Sequence, residues 1–307
     1  MQIHREITNF NVKNAVLTIG TFDGVHLGHK EILRIINSKA KEIEGEGVVF
    51  TFNPHPRKVL FPNDKELTLL NTFEEKIEIL KSSGINHLIL YPFSAEFSKL
   101  SSDEFIEKLL FQQLNIKYLI VGHDHKFGND KLGDFDILKS KLDKYNISSE
   151  KISQLQLNQT GISSTNIRNF LLNGMIESAN QSLGYSYSIS GNVVKGKQIG
   201  RTIDFPTANI EIKDTNKLIP KNGVYSVKVI IENKKYTGML NIGIKPTLNF
   251  NEKTIEVHIL DFEKDIYGKE IKLEFEKYIR PEQKFSTLFE LKNQINLDKK
   301  TILLQQK

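Results

Sequence analysis

Between residues 15 and 122, short apolar runs alternate with stretches of helical period, and this alternation limits the fold more than any other feature of the chain. Residues 15–19 (AVLTI) stop at Gly20, and residues 48–52 (VVFTF), 87–91 (HLILY) and 118–121 (YLIV, before Gly122) are of the same kind. Each is short, rich in β-branched or aromatic residues and lacks polar alternation, as a strand buried on both faces must. After His29 the apolar residues Ile32, Leu33, Ile36, Ala40 and Ile43 recur at helical spacing until Gly45 and Gly47 stop them. Helices are expected over 73–80 and 102–114 as well. Strands of this type separated by helices predict a parallel α/β sheet, whose ligands sit beyond the carboxyl ends of the strands.

Near Gly184 the pattern changes. Helical periodicity fades through SANQSLGYSYS, and short strands follow at 187–194, 224–231, 236–242, 254–260 and 271–275, broken by Gly, Pro and Asn. That pattern predicts a small antiparallel barrel or sandwich. Thr287 and Glu290 form a capping box for a last helix with Leu288, Leu291 and Ile295 on its apolar face, a lid or brace for the barrel, and the tail LDKKTILLQQK reads as a charged, frayed end. A chain of 307 residues favours two cores over one large barrel, so domains are expected at 1–183 and 184–307, each able to fold alone. The absence of cysteine excludes disulfides, thiolate metal sites and a cysteine nucleophile. No apolar run is long enough for a bilayer and the start MQIHREITNF is not a signal peptide, so a cytoplasmic protein without membrane attachment is expected. The net charge of +5 suits a mildly basic surface, nucleic acid or a small polyanion such as ATP.

The first chemical constellation is TFDGVHLGHK at 21–30, a strand-to-helix corner. Gly24 and Gly28 allow close backbone approach, and the N-terminus of the following helix favours an anion there. His26 and His29 could donate to phosphate oxygens. The competing readings are a helix cap with a satisfied polar neighbour, and a zinc site with Asp23 as the only further ligand in view. Asn53 and His55 in FNPHP follow a strand, in a loop stiffened by prolines. In ISSTNIR, Ser163, Ser164 and Thr165 cap a helix whose first turn can also meet phosphate, and Arg168 adds a bidentate donor. Asp124 stands at another strand end, where it could accept bonds from a sugar or base. Taken singly, FNPHP reads equally as a turn and ISST as a cap.

The second constellation is GNVVKGKQIGRTIDFPTAN at 191–209. It mimics a P-loop, but Gln198 stands where the magnesium-binding hydroxyl belongs and 199–206 cannot open a helix. A glycine-rich turn between strands fits better, with Gly196 and Gly200 admitting phosphates beside Lys195, Lys197 and Arg201. A plain hairpin with solvated lysines is the alternative.

TFDGVHLGH resembles the HxGH signature of the nucleotidyltransferase superfamily. With FNPHP, GHDHKFG and ISSTNIR in the same order, it is similar to the FMN adenylyltransferase module of bacterial bifunctional riboflavin kinase/FAD synthetases. The resemblance continues through FPTAN, NGVY, NIG, EVHILD and RPEQKF into the riboflavin kinase module, and covers about residues 10 to 296. It implies a Rossmann-like nucleotidyltransferase domain, a parallel sheet with helices on both faces, followed by a small antiparallel β-barrel with a terminal helix. It further implies that riboflavin, FMN, FAD and ATP are the ligands, with Mg2+ held by Thr207 and Asn209 and with Glu256 as catalytic base. His26, His29 and Arg168 would stabilise the adenylyl-transfer charge, while Asn53, His55, Asp124 and Arg280 would face flavin or nucleotide. In the family an aromatic and an arginine usually occupy the positions of His125 and Lys126, and a glycine that of Asp204. An enzyme with one active domain, or an RNA-binding barrel on an α/β scaffold, are the alternatives. The barrel lacks interleaved surface aromatics and a basic stripe, which argues against nucleic acid, and no obligatory protein partner is expected.

Overall fold

In the computed structural model the described residues are 1–8, 10–64, 67–122, 135–153, 161–196, 200, 203–246 and 251–304. By contact they divide into two compact units, Met1–Ser164 and Thr165–Lys307.

The first unit is a six-stranded sheet in the order β1-β4-β3-β2-β5-β6, in which every neighbouring pair is parallel. The expected runs are β2 (Val16–Ile19), β3 (Gly47–Phe52), β4 (His87–Tyr91) and β5 (Tyr118–Val121). Two polar edge strands, β1 (Gln2–His4) and β6 (Ser148–Lys151), extend the sheet beyond them. Side chains alternate across it. Leu17, Ile19 and Phe50 join Phe105, Leu109, Leu138 and Leu142 on one face, and Val16, Val49 and Leu88 join Leu33, Ile36 and Leu80 on the other. Helices α1 (Leu27–Glu42) and α3 (Phe73–Ser82) therefore cover one side. The other is covered by a helix that opens as α4 (Ser102–Glu104), continues as a π-helix (Phe105–Gln113), and is joined by α5 (Phe135–Asp143). A short α2 (Pro56–Leu60) follows β3. The chain passes from β2 to β3 and β4 on one side and returns to β5 and β6 on the other, so the switch point of the topology lies beside β2. Parallel sheets bind ligands at the carboxyl ends of the strands at such a point.

Helix α6 (Ser164–Leu172) starts on the last residue of the first unit and continues in the second, which goes on with α7 (Ile176–Leu183), ending on Gly184 at φ 69°. A closed barrel then follows in the order β10-β11-β8-β7-β12-β9. Its strands are β7 (Ser188–Val194), β8 (Ala208–Glu211), β9 (Gly223–Ile231), β10 (Lys234–Pro246), β11 (Asn251–Ile259) and β12 (Glu270–Arg280). Between sandwich and barrel the structure decides for the barrel, with β8 added to the expected strands. Glu232 and Asn233, both at positive φ, make the tight β9–β10 hairpin.

The compact division falls upstream of the composition shift at Gly184 because α6 and α7 pack with the barrel. Lys221 N–H donates to the Leu171 carbonyl at 3.1 Å, and the Asn180 amide donates to the Phe275 carbonyl at 2.9 Å while accepting Tyr187 N–H at 2.7 Å. The C-terminal tail differs from its expected frayed state. Helix α8 (Leu288–Leu304) runs through it and buries Ile302 and Asp298. No helix among the described residues is long and apolar enough to cross a membrane.

Candidate active site

In the first unit, the chain leaves β2 through a turn at 20–25 that enters α1. Phe22, Gly24 and Val25 sit at φ 49°, 83° and 32°. Left-handed backbone is costly for a β-branched residue and persists only where the surroundings over-determine it. They do so here. Asp23 Oδ1 accepts the N–H groups of Leu70 (2.9 Å) and Asn71 (3.4 Å), and the Asp23 carbonyl accepts the Ser164 hydroxyl at 2.8 Å. The Thr21 carbonyl accepts Thr51 Oγ1 at 3.2 Å and Lys76 Nζ at 2.8 Å.

His26 is the N-cap of α1, its Nδ1 accepting His29 N–H at 3.3 Å, and Gly28 is buried in the first turn. The bond assigns the proton of neutral His26 to Nε2. The capping reading is therefore realised, and the ring still stacks on His29 with centroids 3.7 Å apart. Phe22 also lies against His29, with ring centroids 4.9 Å apart and the planes tilted by 47°. Burial holds the His29 pKa well below the ordinary 6.5, and the charges of His26 and Lys76 push the same way. Nδ1 of His29 is buried without a hydrogen-bond partner. An unpartnered buried nitrogen is better tolerated as an acceptor than as an N–H donor, which favours the tautomer with the proton on Nε2.

The zinc reading is not supported: the Asp23 carboxylate is occupied by backbone N–H groups, and the described residues contain no group of three or more His, Asp or Glu that could hold a metal. Asn53 is exposed after β3, with its N–H on the Tyr91 carbonyl at 3.0 Å, and His55 caps α2 through Arg57 N–H at 3.2 Å. Ser163 precedes α6. The Ser164 hydroxyl, on the last residue of the first unit, donates to the Asp23 carbonyl. Thr165 and Arg168 continue α6 beyond the division between units, and their part in phosphate binding rests on the resemblance. Asp124, His125 and Lys126 lie outside the described residues.

Two residues that hold this turn escaped the sequence reading. In the sequence Asp23 reads only as a metal ligand, whereas it acts as a backbone clamp. Lys76 belongs to no motif, yet it is only 8% exposed. Its signal was present: Phe73, Lys76, Ile77 and Leu80 form one helical face, and Lys76 is the charged member of it.

In the second unit, Glu256 on β11 lies opposite Asn209 on β8 and Asn241 on β10, one row across three strands. Thr207 Oγ1 donates to Glu256 Oε2 at 3.3 Å. Thr207, Asn241 and Glu256 line a cavity of about 560 Å³ with Phe205, His258 and Arg280, while Thr207 also borders a second cavity of about 430 Å³ walled by Phe262 and Tyr267. His258, two residues from Glu256 and so on the same face, donates Nδ1–H to the Pro206 carbonyl at 2.8 Å, and burial lowers its pKa. It anchors the segment that carries Thr207 into β8, a role that no motif in the sequence marks.

The glycines of the turn serve close packing. A Cβ on Gly196 would meet the Asn209 amide at 2.1 Å, and one on Gly200 would meet the Phe205 carbonyl at 2.1 Å. Lys197 and Arg201 lie outside the described residues. Arg280 lines the cavity but directs its guanidinium to Asp298 of α8, with Nε 3.0 Å from each carboxylate oxygen and Nη2 at 2.8 Å. The helix it holds is a cavity wall in its first half, where Leu288, Leu291 and Ile295 line the space.

Comparison with known proteins divides the chain in the same manner. The FAD synthetase family matches residues 9–166, and the riboflavin kinase family residues 183–304. The bifunctional riboflavin kinase/FMN adenylyltransferase of Buchnera aphidicola subsp. Acyrthosiphon pisum is 38% identical over 100% of this chain and 98% of its own length. The protein of that name from Escherichia coli K12 is 36% identical over 98% of this chain and 96% of its own. A crystal structure from Streptococcus pneumoniae, described as a macrolide-efflux protein, has 31% identity and a TM-score of 0.87, covering 98% of this chain and 97% of its own. That likeness concerns the fold, and the functional family comes from the sequence matches. The chain belongs to the family of bifunctional riboflavin kinase/FMN adenylyltransferases.

Proposed function

We propose that the barrel transfers the γ-phosphoryl group of ATP to riboflavin, giving FMN, and that the α/β unit joins FMN to the adenylyl group of a second ATP, giving FAD and pyrophosphate. In the first reaction the primary hydroxyl of riboflavin attacks the γ-phosphorus and its proton passes to Glu256. The bond from that phosphorus to the bridging oxygen breaks, and ADP leaves. The Thr207 hydroxyl and the Asn209 amide oxygen are hard donors that suit Mg2+, an ion that keeps most of its shell for phosphate and water. When bound, the ion offsets phosphate charge. Gly196 and Gly200 let the backbone approach the ATP phosphates, Lys197 and Arg201 offset phosphate charge, and Arg280 fixes the α8 wall beside the flavin.

In the second reaction an FMN phosphate oxygen attacks the α-phosphorus of ATP as the bond to pyrophosphate breaks, without a covalent enzyme intermediate. His29 Nε2–H, His26, the α1 N-terminus with Gly24 and Gly28, and Arg168 meet the charge that develops. Ser163, Ser164 and Thr165 present the N-terminus of α6 to phosphate, while Asn53, His55 and Asp124 shape the nucleotide or flavin pocket. The functional domains are 1–183 and 184–307, and the protein works in the cytoplasm on small molecules, without nucleic acid, membrane or an obligatory protein partner.

The observation that carries the kinase reading is Glu256 in register with Asn209 and bonded to Thr207 on a cavity wall. Glu256→Gln tests it. FMN formation from riboflavin should fall by about a hundredfold or more, the scale of a lost general base, while added FMN is adenylylated at the unchanged rate. An unaffected kinase rate would remove Glu256 from its role.

A further inference from the structure

Lysine is almost never fully buried without a partner, because taking its charge out of water is costly. Lys76 nevertheless projects from the inward face of α3, in the row occupied by Phe73, Ile77 and the fully buried Leu80. A methionine or leucine would fill that position at lower cost. The helix starts in a complete capping box between Thr72 and Glu75, so the register that brings Lys76 inward is set locally.

Its Nζ donates to the Thr21 carbonyl at 2.8 Å, the carbonyl that also accepts the Thr51 hydroxyl. Thr21 directly precedes the left-handed residues of the turn, so two donors on this one oxygen fix the entry to Phe22, Asp23, Gly24 and Val25. The groups that bear electrostatically on this corner are Lys76 from α3, Asp23 from the turn, and His26 and His29 at the start of α1. We propose that Lys76 is a positioning residue for adenylyl transfer: bonded to Thr21, it holds from beneath the turn that carries His26 and His29 and places its ammonium group behind them. The inference rests on reading the α/β unit as the adenylyltransferase. The ammonium needs no contact with ATP to act. It keeps the turn in its left-handed course, and its charge disfavours protonation of His29, so that the imidazole offers Nε2–H as a neutral donor.

The test uses the full-length chain with Lys76→Met and Lys76→Arg. FAD formation from added FMN and ATP reads the adenylyl step, FMN formation from riboflavin controls for folding and protein quality, and NMR titration follows the His29 ring. Lys76→Met should lower kcat for FAD formation about tenfold or more, as expected when reacting groups lose their placement, with a smaller change in the KM for ATP. In that variant His29 should titrate at higher pH than in the unaltered chain. Lys76→Arg, which keeps the charge, should restore the His29 midpoint and most of the rate. The proposal is overturned if Lys76→Met makes FAD at the unaltered rate, or if His29 titrates identically with and without the Lys76 charge. Should Lys76→Met fail to fold, Lys76→Arg decides alone, because a displaced His29 midpoint despite the retained charge contradicts the proposal. If the unaltered chain makes FMN but no FAD, the adenylyltransferase reading fails instead.

Discussion

The imidazole rings of His26 and His29 lie face to face, with 3.7 Å between their centroids and 15° between their planes. Two unit charges about 4 Å apart near a protein surface repel by about 4 kcal/mol, so the pair does not readily carry two protons. With the buried charge of Lys76 adding to the repulsion, His29 stays neutral through the physiological range.

Stability should follow from this in a defined direction. The folded pKa of His29 lies below the ordinary 6.5, so below about pH 6.5 the unfolded chain binds a proton that the folded chain refuses. Stability is then lost as pH falls through 6.5 toward the folded value. Partly buried His4 and buried His258 are displaced in the same direction and add to the loss. The melting temperature should drop between pH 7.5 and pH 5.5, and His29→Gln should make the drop shallower for the α/β unit. Equal slopes in both proteins would contradict the assignment.

Removing the donor outright separates the two chemistries. His29→Ala should slow FAD formation from added FMN by about 10²- to 10³-fold, the range for a lost oxyanion-type donor, while FMN formation from riboflavin keeps its rate. Both are read on one preparation by chromatographic separation of the flavins.

Asp204 stands at φ 64°, in the left-handed region that favours glycine, and its carboxylate meets Lys292 Nζ of α8 at 2.6 Å. Both side chains are largely solvated, so the pair contributes about 1 kcal/mol at most. Asp204→Gly loses it but also relieves left-handed strain worth about 1 kcal/mol. The two should nearly cancel, leaving barrel stability within about 1 kcal/mol of the original in chemical denaturation. Lys292→Met, which keeps the strain and loses the pair, should be the less stable of the two.

A fragment from Thr165 to the C-terminus should fold, phosphorylate riboflavin and stop at FMN, because it lacks His26 and His29. One beginning at Gly184 loses the bonds of Asn180 to Tyr187 and Phe275. At about 1 kcal/mol for each hydrogen bond, the shorter fragment should be destabilised by about 2 kcal/mol. Circular dichroism melts of the two fragments, paired with a riboflavin kinase assay, check both statements.

What the sequence revealed was whatever local periodicity and motif order carry. The central strands β2 to β5 read as apolar runs, and the histidine-bearing turn lies where β2 meets α1. The edge strands did not read, because Gln2–His4 and Ser148–Lys151 are short and polar and exist through pairing with β4 and β5. Strand β8 was hidden for a similar reason, being four residues held by β7 and β11. The charged tail is helical as far as Leu304, with Asp298 buried against Arg280, a partner 18 positions away. Lys76 and Asp23 were obscured in the same manner. A charge satisfied by a distant backbone group has the sequence signature of a solvated one.

The most direct measurement is a time course with full-length protein, riboflavin, ATP and Mg2+, with the flavins separated by chromatography. Two active sites acting in series predict that FMN rises first and FAD follows from it. Well-folded protein that forms neither product, or that accumulates FMN without ever making FAD even when FMN is supplied directly, would contradict the bifunctional account.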